Sequence, residues 1–374
     1  MKSFTPELTI ASPGRINLIG EHTDYNLGFV LPTAIDKKII FEFRRNGTDH
    51  HCEVRSLTYD TSFQIDLRQI APSENEWENY ILGVLFEISK RTNKVRGFDC
   101  QISSDLPVGS GVSSSAALEC GMAFGLNELF DLGLSRMDII TLSRDAEHLY
   151  VGTQCGIMDQ FASVMSKAEH VILLDCESLK HTYIPAVLAP YKLVLLNSNV
   201  THNLASSEYN TRRKECEEGV AILQKKDASV NSLRDANGEL LEACKAEMSD
   251  TVYRRCKFII EENQRVLDSA EALKNNQLDV LGKLLYEGQH GLSKLYEIGC
   301  EETDYLVEFA KDYQGVLGAR QMGGGFGGCT INLVHEDVAD AYVEAISEAY
   351  FKKFNIRLTT FDGILAEGTS AVKI

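Results

Sequence analysis

Apolar residues along this chain recur first at the spacing of strands and later at the spacing of helices. Positions 8–11, 39–43, 52–57, 63–65, 97–103 and 171–174 are short apolar stretches with polar interruptions, the pattern of half-buried strands. Among them, 77–86 carries apolar side chains three and four apart and predicts a helix. Residues 116–130 are nearly all apolar or small, predicting a helix buried on most of its faces. A further helix follows over 135–150, capped at Ser135. Past a strand at 192–197 the helical period takes over, at 202–226, 251–274, 278–293 and 301–312. A strand at 329–334, an amphipathic helix at 338–354 and a last strand at 357–365 close the pattern. The change of period near residue 190 divides the 374 residues into two expected domains, 1–190 and 191–374. The last strand is a candidate to return to the first of them.

Glycine and serine interrupt this pattern just before the buried helix, in Leu106-Pro107-Val108-Gly109-Ser110-Gly111-Val112-Ser113-Ser114-Ser115-Ala116. Pro107 and the two glycines rule out a regular element, so the run opens as a tight turn. Its four serines supply hydroxyls and a natural helix N-cap. A glycine-rich turn feeding a helix presents free backbone N–H groups and the positive end of the helix dipole, a combination that binds phosphate. No Gly-Lys-Ser/Thr follows, so it is not a Walker loop. Taken alone, an ordinary turn before a capped helix fits equally well.

Three further clusters carry candidate chemistry. Glu21, His22 and Asp24 lie within Gly20-Glu21-His22-Thr23-Asp24-Tyr25, on an expected loop, and could line a pocket for a polar ligand. Carboxylates suit neutral hydroxyls because each accepts several hydrogen bonds. A solvated turn, or half of a metal site at His22 and Asp24, is the plainer reading. Asp159 stands among Ile157, Met158 and Phe161, where a carboxylate needs a partner; Arg15 is the candidate, and Asp159 a candidate base or hydroxyl-orienting group. A structural salt bridge or N-cap is the alternative. Gly323-Gly324-Gly325-Phe326-Gly327-Gly328 implies an unusual backbone path or close approach to the backbone. Tyr209 is a candidate ligand contact at the domain interface, Trp77 a candidate base-stacking or core residue, and 212–218 a solvated, salt-bridged helix face.

Composition narrows the class of ligand. A formal charge of −17 argues against nucleic acid or anionic membrane as a partner, and any nucleotide must be neutralised locally. Ten cysteines without a Cys-x-x-Cys pair predict reduced thiols in a cytoplasmic protein. Neither an N-terminal signal core nor a run of membrane-spanning length is expected from the sequence.

Three blocks, 14–25, 106–119 and 323–329, resemble the signatures of the GHMP small-molecule kinases and, within them, of the galactokinase family. Residues 155–161 and 204–213 are also similar to that family, so the resemblance covers nearly the whole chain. It implies an α+β fold of two domains, an N-terminal one of the ribosomal-protein type and a C-terminal α/β plait, with the site in the cleft between them. It implies transfer of the γ-phosphoryl of ATP to the anomeric hydroxyl of D-galactose, giving galactose 1-phosphate and ADP, the first step of galactose metabolism. By resemblance, Gly109, Ser110, Gly111, Val112, Ser113, Ser114 and Ser115 would wrap the ATP phosphates. Mg²⁺ would be held by Ser114 or Ser115 together with Glu147. Glu21, His22, Asp24, Gly156, Asp159 and Tyr209 would contact the sugar, with Arg15 and Asp159 flanking the reacting hydroxyl. Trp77 and Tyr80 would neighbour the adenine. The protein is expected to be a monomer. Leu27 and Gln321-Met322 depart from the family pattern away from the reacting atoms. A kinase for N-acetylgalactosamine or another sugar, and a non-catalytic galactose and ATP sensor, are the rival readings; the intact serine run with Arg15 and Asp159 disfavours the sensor.

Overall fold

The computed structural model describes residues 4–107, 109–201 and 205–372. Val108 and the expected helix start at 202–204 lie outside these described residues. The chain runs β1 (Leu8–Asn17), β2 (Phe29–Val30), β3 (Pro32–Arg45), β4 (His51–Ser56), β5 (Thr61–Asp66), α1 (Glu76–Ser89) and β6 (Phe98–Ser104). Next come α2 (Ser114–Phe130), α3 (Arg136–Ala146), α4 (Met158–Met165), β7 (His170–Asp175) and β8 (His181–Pro185). β9 (Tyr191–Thr201) leads into α5 (Ala205–Lys226), α6 (Gly238–Cys244), α7 (Asp250–Lys274), α8 (Leu278–His290) and α9 (Glu301–Lys311). The end of the chain supplies β10 (Val316–Gln321), β11 (Gly327–His335), α10 (Ala339–Phe354), β12 (Thr359–Asp362), β13 (Leu365–Ala366) and β14 (Ser370–Ala371).

The first half builds a sheet in the order β14-β1-β3-β6-β4-β5, with β13 beside β3. Only β4 and β6 run parallel in it. Helix α2 lies across β1 and β3. Phe41 and Phe43, two apart on β3 and therefore on one face, stack at 5.9 Å and meet Gly121 and Gly125 of α2. A methyl group on either glycine would lie 2.1 Å from a ring atom. Each helical glycine costs about 1 kcal/mol relative to alanine, which burial of a phenyl ring more than offsets.

A second, antiparallel sheet has the order β10-β11-β9-β12. Its strands alternate between two cores. Leu193, Leu195, Ile331 and Leu333 join the core of the first half, whereas Val194, Leu196 and Val334 pack with α9 and α10. Three of its strands stand where the sequence places them, at 192–197, 329–334 and 357–365, in a half that is otherwise mostly helical; β10 is the strand that the sequence reading lacks.

Three further expectations change. The strand expected at 8–11 runs on to Asn17 in β1, so Arg15 stands on that strand. The stretch 357–365 is two strands in two sheets: β12 pairs with β9, while β13 and then β14 return to β3 and β1. The helices predicted over 135–150 and 278–293 both end in a wider π turn, Glu147–Val151 and Gly291–Tyr296. Such turns shift the direction of the side chains after them and recur at functional sites. Here they carry Glu147 and Tyr296.

Candidate active site

The loop before α2 curls because every second residue is left-handed: φ is 65° at Gly109, 69° at Gly111 and 56° at Ser113. Backbone alternating in this way turns successive N–H groups to one side, making a concavity for an anion at the helix N-terminus. The side chains of the loop do not share in this as the sequence suggests. Ser110 is buried and its hydroxyl donates to the Pro107 carbonyl. Val112 is core, and its carbonyl accepts the Arg15 backbone N–H at 2.9 Å. Ser113 occupies the N-cap position without capping; its hydroxyl donates to Asp159 Oδ2 instead.

Arg15 ties this loop to Asp159. Its Nε and Nη2 donate to the two Asp159 oxygens at 2.8 and 3.0 Å, and Nη1 donates to the Gly111 carbonyl at 2.7 Å. The fork geometry of guanidinium makes the pair bidentate, and the guanidinium's five N–H donors exceed the three used here. Asp159 is in the first turn of α4. The next residue, Gln160, points the other way and donates to Glu147 Oε2 at 2.9 Å and Glu119 Oε2 at 3.3 Å. Glu147 is buried; burial first and the Asp159 charge second push its carboxyl up to about 7. The Ser115 hydroxyl hydrogen-bonds to it, and no lysine or arginine among the described residues forms an ion pair with it.

Most of the remaining predicted residues cluster beside Asp159, contributed by both halves of the chain. Asp24 is buried against Gly156, where a methyl group would lie 2.0 Å from Asp24 Oδ2. Burial, and then the Asp159 charge, raise the Asp24 carboxyl to about 6, against hydrogen bonds from the Tyr25 and Met158 backbone. His22 packs against Tyr209 of α5, ring centroids 4.8 Å apart, and burial drives its pKa down to about 3. Glu21 turns away from Asp24. Its carboxylate pairs with fully buried Arg320 of β10 and accepts the Gly323 N–H at 3.1 Å. Burial raises its pKa more than that pairing lowers it. The glycine-rich turn after β10 lies against the phosphate-loop candidate: a methyl on Gly323 would lie 3.1 Å from the Gly111 carbonyl oxygen.

On the other side of the loop, Tyr59, Trp77, Tyr80, Ile102, Leu106 and Leu118 line a cavity that reaches Gly109, Ser114 and Ser115. Trp77 is edge-on to Phe63 at 5.0 Å, so it is both packed and pocket-lining.

The galactokinase galactose-binding signature matches residues 2–45, the GHMP kinases N terminal domain 79–167 and the GHMP kinases C terminal domain 269–352. The galactokinase of Thermosipho africanus is 40% identical over 366 residues, 98% of this chain and 100% of that protein. That of Haemophilus influenzae is 39% identical over 376 residues, 98% of this chain and 95% of that protein. The chain belongs to the galactokinase family. Among solved structures, a Lactococcus lactis galactokinase complexed with galactose superposes with a TM-score of 0.94 at 32% identity, covering 98% of this chain and 95% of that one. Methanococcus jannaschii mevalonate kinase, at 18% identity and a TM-score of 0.69 over 96% of this chain and 98% of its own, shares the fold alone. The chain has the two-domain GHMP kinase fold.

Several residues at this site escape the sequence reading. Arg320 follows Val316, Leu317, Gly318 and Ala319 in β10, and an arginine after such a run is the one signal that could have marked it as paired. Gln160 and Tyr296 carry no such signal. Arg212 is the opposite case, expected on a solvated face. It is buried, donating from Nε to the Tyr296 carbonyl at 2.8 Å and from Nη2 to the Glu297 carbonyl at 2.9 Å. All ten cysteines are free, and no helix among the described residues is long and apolar enough to cross a membrane.

Proposed function

We propose that this chain transfers the γ-phosphoryl of ATP to the anomeric hydroxyl of D-galactose. The observation that carries the reading is the Arg15–Asp159–Ser113 constellation, set between the phosphate-binding curl and the pocket of the galactose-binding signature. The sugar is read as lying against Glu21, His22, Asp24, Gly156, Asp159 and Tyr209. The phosphates lie on the N–H groups of 109–115, and the adenine enters the cavity lined by Trp77 and Tyr80. Residues 1–190 and 191–374 supply the two sides, although β13 and β14 cross back.

Phosphoryl transfer needs alignment and neutralisation of charge more than covalent help. Asp159 accepts or orients the proton of the sugar hydroxyl, with one oxygen already held by the Ser113 hydroxyl. Arg15, bonded at once to Asp159 and to the loop, keeps acceptor and phosphates in register and turns its remaining N–H groups to the transferred phosphoryl. Glu147 with Ser115 fits a cation: a buried carboxylate without a positive partner, beside a hydroxyl at the mouth of the phosphate curl, is the oxygen donor set that Mg²⁺ takes. Its contact with Glu147 favours Ser115 over Ser114. Mg²⁺ bound with ATP supplies neutralisation of the phosphate charge. The free thiols fit a cytoplasmic setting.

The test is ADP release with ATP and Mg²⁺ over galactose, glucose, N-acetylgalactosamine, arabinose and mevalonate, with the product identified by mass and NMR. Turnover of galactose to the 1-phosphate is expected. Preference for N-acetylgalactosamine would move the substrate, and binding of both ligands without turnover would overturn the reading.

A further inference from the structure

Two tyrosines and a cysteine behind the sugar pocket form a chain of hydrogen bonds that the phosphoryl-transfer chemistry does not use. His22 Nε2 is 3.2 Å from the Gly324 carbonyl, and His22 Nδ1 is 2.7 Å from the Tyr25 hydroxyl. That hydroxyl is 2.7 Å from the Tyr296 hydroxyl, which is 3.2 Å from Cys216 Sγ. The members come from four places: the turn after β1, helix α5, the π turn after α8 and the glycine-rich turn. Tyr296 and Cys216 are fully buried.

Donor and acceptor logic gives the chain a single direction. A carbonyl only accepts, so the His22 proton is on Nε2. Burial keeps the ring neutral, so Nδ1 is a bare acceptor and the Tyr25 O–H donates to it. The Tyr25 oxygen then accepts from Tyr296, whose own oxygen accepts the Cys216 S–H. The Asn26 side chain donates to the His22 carbonyl at 2.9 Å and also bonds Cys216, closing the path on the histidine's backbone. His22 itself is left-handed, with φ 63°, a conformation that costs a non-glycine residue about 1 kcal/mol or more and so needs such support.

We infer that Tyr25 and Tyr296 are positioning residues for the sugar. Through this one-way relay they hold the His22 ring, its Nε2–H already donated to the Gly324 carbonyl, against Tyr209 as a wall of the pocket, and couple its orientation to α5, the helix that carries Tyr209. The inference rests on the galactokinase reading, because the placement of the ring matters only where a sugar packs against it.

The experiment labels the histidines with ¹⁵N in wild type, Tyr25→Phe and Tyr296→Phe, with the His22 signals assigned by their loss in His22→Asn. KM for galactose and for ATP is measured alongside. Wild type is expected to show a neutral His22 protonated on Nε2. In Tyr25→Phe the Nδ1 resonance moves to the position of an unbonded acceptor, and the galactose KM rises about 3–10-fold while that for ATP stays within about twofold. Tyr296→Phe gives the same displacement, smaller. A wild-type proton on Nδ1 or on both nitrogens would overturn the relay. So would a displaced Nδ1 resonance with an unchanged galactose KM. Should Tyr25→Phe not fold, Tyr296→Phe decides on the same two readouts. No turnover of galactose by wild type would overturn the underlying reading instead, and the resonances would still judge the relay.

Discussion

Gly156 and Asp24 are 132 positions apart and share a space that admits only one side chain. A methyl group at Gly156 would lie 2.0 Å from Asp24 Oδ2, 2.2 Å from its Cγ and 2.8 Å from its Cβ. Ordinary contact begins near 3.4 Å, so the shortfall is well beyond the few tenths that neighbours yield. The backbone at Gly156 is not left-handed, so alanine is tolerated locally and the collision is the whole effect. Asp24 must rotate, leaving its hydrogen bonds from the Tyr25 and Met158 backbone. Overpacking of this kind costs about 1–3 kcal/mol of stability. Losing Asp24 as an acceptor costs galactose roughly another 1.5–3 kcal/mol, or about 10–100-fold in kcat/KM. Gly156→Ala is therefore expected to raise the galactose KM strongly and leave the ATP KM close to wild type. Urea denaturation and initial-rate kinetics measure both. The double variant Gly156→Ala with Asp24→Ala should regain most of the lost stability, since the methyl group then enters space that Asp24 vacated, but not the lost affinity. Equal stability losses in the single and double variants would refute the collision, and an unchanged galactose KM in Gly156→Ala would refute Asp24 as a sugar acceptor.

Other expectations follow from the same geometry. Asp24 in the folded protein holds its proton up to about pH 6, whereas its ordinary value is 3.8, so folding loses stability as pH rises through that window. Asp24→Asn has no such proton to release; its advantage over wild type should grow by roughly 2–3 kcal/mol between pH 4 and pH 7, and parallel stability profiles would dismiss the assignment. Asp159→Asn keeps the shape and is expected to lower kcat about 10²–10⁴-fold with galactose still bound, as calorimetry can check; near-normal turnover would end the base role. Arg320→Met leaves the buried Glu21 carboxylate unpaired at a cost of about 3–5 kcal/mol. Adding Glu21→Gln should recover part of that in denaturant titrations, and no recovery would show that the pair is not the cause. Ser115→Ala should raise the Mg²⁺ concentration needed for half-maximal rate more than Ser114→Ala does; the reverse order would move the metal contact to Ser114.

What could be read along the chain is what contiguous residues decide. The phosphate curl was legible because its left-handed positions, its helix dipole and its glycines lie within seven consecutive residues, 109–115. The strands and helices of the first half follow from local periodicity, as does buried α2. The candidate site was legible as separate patches: Glu21, His22 and Asp24, then Asp159, then the glycine cluster. Their arrangement was not. A carboxylate needs a partner wherever it is buried, but no spacing along the chain says that Glu21 faces Arg320, 299 positions on, or that Gly156 must stay bare for Asp24. The two π turns look like ordinary helix in the sequence, because one extra residue per turn alters direction without altering composition. The serine at the N-cap position was misread for a related reason: Ser113 had a local option, capping α2, and tertiary contact with Asp159 supplied a charged acceptor that outcompetes it. The chemistry resides in residues the sequence displays; the distances that make it chemistry come from packing between elements far apart in the chain.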